Sequence, residues 1–168
     1  TSSCGVCGKR TIEEVLATVP APGAEPAGPR RLDPEVILSL PSKLRASQRI
    51  FERTGALHAA GLFDRQGRLL LVREDVGRHS AVDKAVGAAL LAGEVPLAGR
   101  ILLVSGRASF EIVQKALRAG IPAVAAVSGV TSLAVDLADS GGVTLIGFLR
   151  EGSFRVYAHA ERVAADRG

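Results

Sequence analysis

Cys4 and Cys7 stand in the run Cys4-Gly5-Val6-Cys7-Gly8, with Lys9 and Arg10 directly after it. The sequence holds two cysteines in all, so thiol chemistry must run through this pair. The thiolate is the competent nucleophile, and a neighbouring cation stabilises it. Four uses fit two cysteines at this spacing. A structural disulfide is disfavoured in a reducing compartment. Half a zinc site needs two further ligands, and His58, His79 and His159 are the only histidines, with no second cysteine pair. A thioredoxin-like pair sits where a strand enters a helix, whereas this one precedes a proline-rich connection. The fourth use is a sulfur carrier, in which one thiolate takes a sulfur atom as a persulfide and the second resolves or relays it. Gly5 and Gly8 give such a segment reach. The sequence favours this fourth use, and spacing alone leaves the zinc site open.

A second set of residues falls at the ends of expected strands. Asp75 leads through Val76 and Gly77 to Arg78 and His79 at a helix start. Val104 leads through Ser105, Gly106, Arg107 and Ala108 to Ser109, and Val127 through Ser128, Gly129 and Thr131 to Ser132. Phe148 leads through Leu149, Arg150, Glu151, Gly152 and Ser153 into a last segment. In a parallel sheet such carboxyl ends share one edge, and ligands bind in the crevice there. Glycine lets backbone N–H groups approach a ligand closely, helix starts present unpaired donors, and anions settle on both. Ser and Thr could serve as simple helix caps. Arg78, Arg107 and Arg150, each in a different loop, point instead to a phosphate-bearing ligand, which a guanidinium grips at two points. No G-x-G-x-x-G follows a strand and no Walker lysine is present, so an ordinary NAD or ATP site is not expected.

Around these loops the remaining polar residues have two readings each. His58 falls within an expected strand and is either a hydrogen-bonded core residue or a ligand contact. His79, beside Arg78 at a helix start, is the better contact candidate, and His159 lies near enough to the end to reach the final loop. Asp75 and Asp83 flank Arg78 and either orient it or cap and solubilise its helix.

The elements that would position these residues follow from periodicity. Residues 19–34 hold five of the eight prolines and read as an extended, mobile connection. The chain therefore divides into an N-terminal segment, 1–33, with the cysteine pair and this linker, and a regular domain, 34–168. Residues 42–54 are rich in helix formers and stop at Gly55, a C-terminal cap. Two apolar runs, 56–63 and 68–74, flank Asp64-Arg65-Gln66-Gly67, which predicts a hairpin. Apolar residues at 82, 85, 86, 89 and 90 share one face of a helix over 78–91. Strands are then expected over 101–104, 123–127 and 143–148, with a short last one over 154–157, and helices over 109–119 and 131–140. Such alternation implies right-handed crossovers and a mostly parallel sheet covered on both faces.

Nucleoside deaminases use this same element order, so the expected architecture is α/β, a cytidine-deaminase-like three-layer α/β/α sandwich with a mixed, mostly parallel sheet. Deaminase chemistry is nonetheless excluded. It needs a His or Cys metal ligand with a Glu two residues on, and a P-C-x-x-C on the next helix. The chain has His58-Ala59-Ala60 and Arg78-His79-Ser80 at those places.

Composition narrows the class further. The 168 residues are 47% apolar and 23% charged with a net charge of +4, which suits one globular domain. The basic residues are scattered, and five Phe and one Tyr offer little for base stacking, so no nucleic-acid partner is expected. No apolar run reaches membrane-spanning length and no secretory signal is seen; a cytoplasmic location without membrane attachment is expected. Arginine supplies 17 of the 21 basic residues, an excess that coding bias explains as well as phosphate binding does, so only position separates the two. The chain contains no Met and begins at Thr1, and is expected to be a fragment or a processed form.

Several runs together resemble the FdhD family of formate dehydrogenase accessory sulfurtransferases. They are Cys4-Gly5-Val6-Cys7-Gly8, Arg53-Thr54-Gly55, Glu74-Asp75-Val76-Gly77-Arg78-His79, Ala81-Val82-Asp83-Lys84 and Ser105-Gly106-Arg107-Ala108-Ser109-Phe110-Glu111. Ala119-Gly120-Ile121-Pro122, Ala126-Val127-Ser128, Thr131-Ser132-Leu133-Ala134, and Gly147-Phe148 with Val156-Tyr157 belong to the same likeness. The resemblance implies a sulfur carrier that receives sulfur from a cysteine desulfurase and passes it to the molybdenum or tungsten of bis-molybdopterin guanine dinucleotide, before that cofactor enters formate dehydrogenase. It implies Cys4 as the persulfide-bearing residue, Cys7 as its partner, and a cofactor segment over Phe148, Leu149, Arg150, Glu151, Gly152 and Ser153. Arg78, His79, Ser105, Gly106, Arg107 and Ser128 are expected to complete the site, with GDP as a mimic and no resident metal. A homodimer is expected, and the family's N-terminal β-rich region has no counterpart here. Ser80 replaces the family's usual Asn, and Gly55-Ala56 its usual pair of glycines. Two other readings stay open: a non-catalytic chaperone for the molybdenum cofactor, and a zinc-stapled interaction domain.

Overall fold

The computed structural model describes residues 11–17 and 31–164. The Cys4–Cys7 run, and most of the proline-rich connection, lie outside the described residues.

Helix α2 (Pro34–Ala46) begins where Asp33 caps it. The Asp33 carboxylate accepts the Glu35 N–H at 2.8 Å, with Pro34 in the first turn, the place where proline's missing donor costs nothing. Ile37, Leu40 and Leu44 fall on one face of α2 and are fully buried, each contributing about 1.5–3 kcal/mol of transfer free energy. The helix expected over 42–54 is in fact two. The chain leaves helical geometry at Gln48 and resumes as α3 (Arg49–Thr54), which ends at Gly55 in the left-handed conformation, φ 66°. What restarts the helix is remote in sequence. The Glu74 carboxylate accepts the Ile50 and Phe51 N–H groups at 2.9 and 2.8 Å.

The hairpin forms as expected from β1 (His58–Phe63) and β2 (Leu69–Asp75). Its turn is held by the buried Asp64 carboxylate, which accepts the Gln66 and Arg68 N–H groups at 3.0 and 2.8 Å and the Arg68 Nε–H at 2.8 Å. After it come α4 (Arg78–Leu91), β3 (Ile101–Val104), α5 (Phe110–Arg118), β4 (Ala123–Ala126), α6 (Ser132–Gly141), β5 (Thr144–Arg150), β6 (Ser153–Ala158) and a 3-10 turn, Ala160–Arg162. A short α1 (Ile12–Leu16), capped by Thr11, lays the fully buried Val15 into the core.

The six strands form one sheet in the order β2-β1-β3-β4-β5-β6. The pairs β3–β4 and β4–β5 are parallel, while β1–β2, β1–β3 and β5–β6 are antiparallel. The expectation of mostly parallel pairing is thereby corrected. Because β1 runs against both its neighbours, β2, β3, β4 and β5 still all point one way. Their carboxyl ends, with the start of β1, lie along a single edge.

Side chains alternate across the sheet. Ala60, Leu62, Leu102, Val104, Val124, Ala126 and Leu145 face the layer that holds α4, α5 and α6. Ala59, Phe63, Ile101, Leu103, Ala123, Ala125 and Ile146 face α2. Both faces are covered, which is why β3 and β4 read as unbroken apolar runs. No helix among the described residues is long and apolar enough to cross a membrane.

Candidate functional site

Four connections meet at the common edge. Leaving β2, Asp75 Oδ1 accepts the Gly77 N–H at 2.9 Å, and its other oxygen pairs with Lys84. Those contacts, Lys84 first, hold the Asp75 carboxyl below its ordinary range. Asp83 is likewise taken, by Lys115. Arg78 therefore has no hydrogen-bonding or ion-paired partner among the described residues, although its Nε is buried.

The loop after β3 passes directly beneath it. A Cβ on Gly106 would lie 3.3 Å from His58 Nδ1, close enough to press on that ring, and 3.5 Å from Arg78 Cδ, an ordinary contact. Ser105 extends the ladder onto β1: its N–H donates to Ala59 O at 3.0 Å and its Oγ accepts the Ala59 N–H at 2.9 Å. Arg107 is exposed.

The β3 and β4 loops are then stitched together. Ser128 N–H donates to Gly106 O at 3.3 Å, Ala108 N–H to Gly129 O at 3.1 Å and Thr131 N–H to Ala108 O at 3.1 Å. Ser128 O in turn accepts the Phe148 N–H at 2.9 Å. Phe148 sits at φ 50°, a left-handed conformation rare for a bulky residue. The residue is 41% exposed, and a Cβ on Gly129 would come within 3.1 Å of its ring. Arg78 at the start of α4, Gly106 and Ser128 in the two loops, and Phe148 at an irregularity of β5 thus form one continuous line.

His79 flanks this line. Its Nε2 lies 2.9 Å from Ser109 Oγ and 3.8 Å from Glu111 Oε2. Burial lowers its pKa, and the Arg78 charge lowers it further against the opposing pull of Glu111. The Glu111 carboxyl is held low, chiefly by its hydrogen bond with Ser109. At neutral pH this corner carries an uncharged imidazole beside a carboxylate. The helices α4 and α5 both start here without a side-chain cap, and their first-turn N–H groups suit an anion.

The segment expected to bind the cofactor divides. Phe148 belongs to this line, whereas Leu149 is fully buried in the α2-side core. Arg150 and Glu151 are exposed at the β5–β6 turn. Gly152 and Ser153 line an open hollow of about 710 Å³ with Pro34, Leu38, Phe154 and Val156, on the α2 side. His159 does not reach that turn: its Nε2 lies 3.1 Å from Asp139 O, at the opposite edge. Of the other expected residues, Cys4 and Cys7 lie outside the described residues. His58 is a contact that reading by strand type left undecided. Its place at the start of an antiparallel strand, which brings it to the edge where the others end, was the missing signal.

A family model described as the FdhD/NarQ family matches residues 1–164. The chain belongs to the FdhD/NarQ family. Among curated relatives, the sulfur carrier protein FdhD of Streptomyces coelicolor is 59% identical over 164 residues, covering 98% of this chain and 58% of its own length. The protein of that name in Mycobacterium tuberculosis is 52% identical, covering 97% of this chain and 58% of its own length. That of Sulfurisphaera tokodaii is 49% identical, covering 96% and 60%. The chain thus spans a little under three fifths of the length of the first two relatives. A solved structure, from a Desulfotalea psychrophila protein assigned as a formate dehydrogenase accessory protein, superposes with a TM-score of 0.75 at 30% identity, covering 90% of this chain and 62% of that one. In this FdhD/NarQ chain the Arg78–Phe148 line runs along the loop edge of the sheet.

Proposed function

We propose that this chain is the sulfur-carrying and cofactor-binding part of a formate dehydrogenase accessory protein. The substrate class is bis-molybdopterin guanine dinucleotide, whose pyrophosphates lie against the carboxyl-end loops. The observation that carries this reading is Arg78 beside Gly106, a part-buried cation with no hydrogen-bonding partner among the described residues, whose guanidinium tip would take the phosphate oxygens. The exposed Phe148 beside Gly129 offers an aromatic surface on which a guanine can stack. Neutral His79 offers a polar contact without adding charge.

The sulfur enters through Cys4. Its thiolate attacks the terminal sulfur of a cysteine desulfurase persulfide; the new S–S bond forms on Cys4 as the donor's S–S bond breaks, and the donor leaves as a thiolate. Cys7 is the relay, and the client is formate dehydrogenase.

Two measurements test this. Incubation with a desulfurase and cysteine should add one sulfur atom to Cys4, seen by mass spectrometry, and Cys4→Ala should abolish the gain. GDP should bind saturably by calorimetry, with Cys4→Ala leaving that binding intact. No sulfur on either cysteine refutes the carrier, and no GDP binding refutes the nucleotide site.

A further inference from the structure

A second cavity opens at the opposite edge of the sheet. Its floor is the first residue of each parallel strand, Ile101, Ala123 and Thr144. The Arg78–Phe148 line lies at the other ends of these strands, on the order of 13 Å away for a four-residue strand. Three arginines from separate segments surround it: Arg65 from the β1–β2 turn, Arg100 from the approach to β3, and Arg162 from the 3-10 turn. Leu32, Ala98 and Pro122 add apolar wall.

No acidic side chain lines this cavity. Asp64, next to Arg65 in sequence, is already satisfied by Arg68 and the Gln66 N–H. Glu161 lies 3.9 Å from Arg162 Nε but sits at 3.1 Å on His159. Arg162 gives one N–H to Gly142 O. Arg65 and Arg100 make no hydrogen bond or ion pair among the described residues. Three arginines thus border one concavity, with Arg162 already held by Gly142 O and Glu161, and with Arg65 and Arg100 left to meet a ligand.

The volume is about 160 Å³. That is close to an apolar cavity of about 150 Å³ that takes up benzene, and well below the roughly 300–1,000 Å³ of sites for larger ligands. A dinucleotide cofactor is too large for it.

We infer that this edge carries a second ligand site, for a small organic oxyanion: a carboxylate or phosphate group gripped by Arg65 and Arg100, with a compact apolar body seated on Ile101, Ala123 and Pro122. The guanidinium fork matches both kinds of oxyanion, and the apolar floor selects for a carbon body over an inorganic ion.

Titration with benzoate, phenyl phosphate and inorganic phosphate, followed by amide NMR, tests this. The two organic probes should bind saturably with Kd of about 1 mM or tighter, shifting the Ile101, Ala123 and Thr144 signals, and inorganic phosphate should bind more weakly. The tighter of the two organic probes identifies the head group. Arg65→Gln and Arg100→Gln should each weaken binding about tenfold, as loss of one charge-assisted contact does, with the melting temperature and GDP affinity unchanged. The inference is overturned by absence of saturable shifts for both organic probes, by shifts confined to the Ser128–Phe148 edge, or by binding that both variants leave intact.

Discussion

Replacing Arg78 with Met should raise thermal stability and weaken nucleotide binding together. Met places its terminal methyl where Arg78 carries Nε, so the aliphatic stem against Gly106 is kept while the buried, unpartnered donor is removed. Leaving such a donor unsatisfied costs about 1–3 kcal/mol. Part of that is recovered and part is lost with the hydrated tip of the guanidinium, so a gain of about 1 kcal/mol is expected, or roughly 2–4 °C in melting temperature for a domain of this size. The same side chain would give the bound nucleotide a charge-assisted hydrogen bond of about 1.5–3 kcal/mol. Its removal should weaken GDP binding by roughly tenfold to a hundredfold. Scanning fluorimetry without ligand and calorimetry with GDP read the two effects separately. Opposite signs are the signature of a group held in place for a ligand at a cost in stability. A melting temperature lowered by several degrees, with GDP affinity unchanged, would make Arg78 a structural residue and refute the reasoning.

His79 should titrate below the ordinary imidazole value near 6.5, because burial and Arg78 both disfavour its charged form; the ring proton shifts in an NMR pH series give the midpoint, and Arg78→Met should raise it. Folded His79 binds fewer protons than unfolded His79, so its contribution to stability is complete above about pH 6.5 and is lost as pH falls toward its folded value. Glu74→Ala should cost about 0.5–2 kcal/mol, the worth of a helix N-terminal cap, because it strips both acceptors from the start of α3. GDP affinity should not change, and a large loss of binding would instead place Glu74 in the site.

Much of the architecture was legible because it follows from local rules. The Asp64–Gly67 turn, the two-sided apolar runs of β3 and β4, and the apolar face of α4 each declare themselves within a few residues, although Leu90, expected on that face, is exposed. So did the four glycine-bearing loops, since glycine and capping residues mark the ends of strands and helices wherever they occur. What sequence could not decide was everything set by partners remote in the chain. Glu74 reads as a motif residue, yet it starts α3, more than twenty positions earlier. The split of one expected helix into α2 and α3 follows from that contact. Asp75 and Asp83 could equally have oriented Arg78 until Lys84 and Lys115 were seen to hold them. The sheet's pairing depended on where β1 inserts, because neighbour direction is a property of strand order rather than of any strand's own residues. By itself the sequence determined the hairpin, the strands and helices that follow it, and which loops carry glycine and arginine, but neither α1 nor the extent of α2. Only the tertiary structure decided that Arg78 is left without a partner, that His58 closes on Gly106, and that Leu149 turns inward while Phe148 turns out. Those outcomes rest on burial and on contacts a few ångströms long between residues tens of positions apart, and no local pattern encodes them.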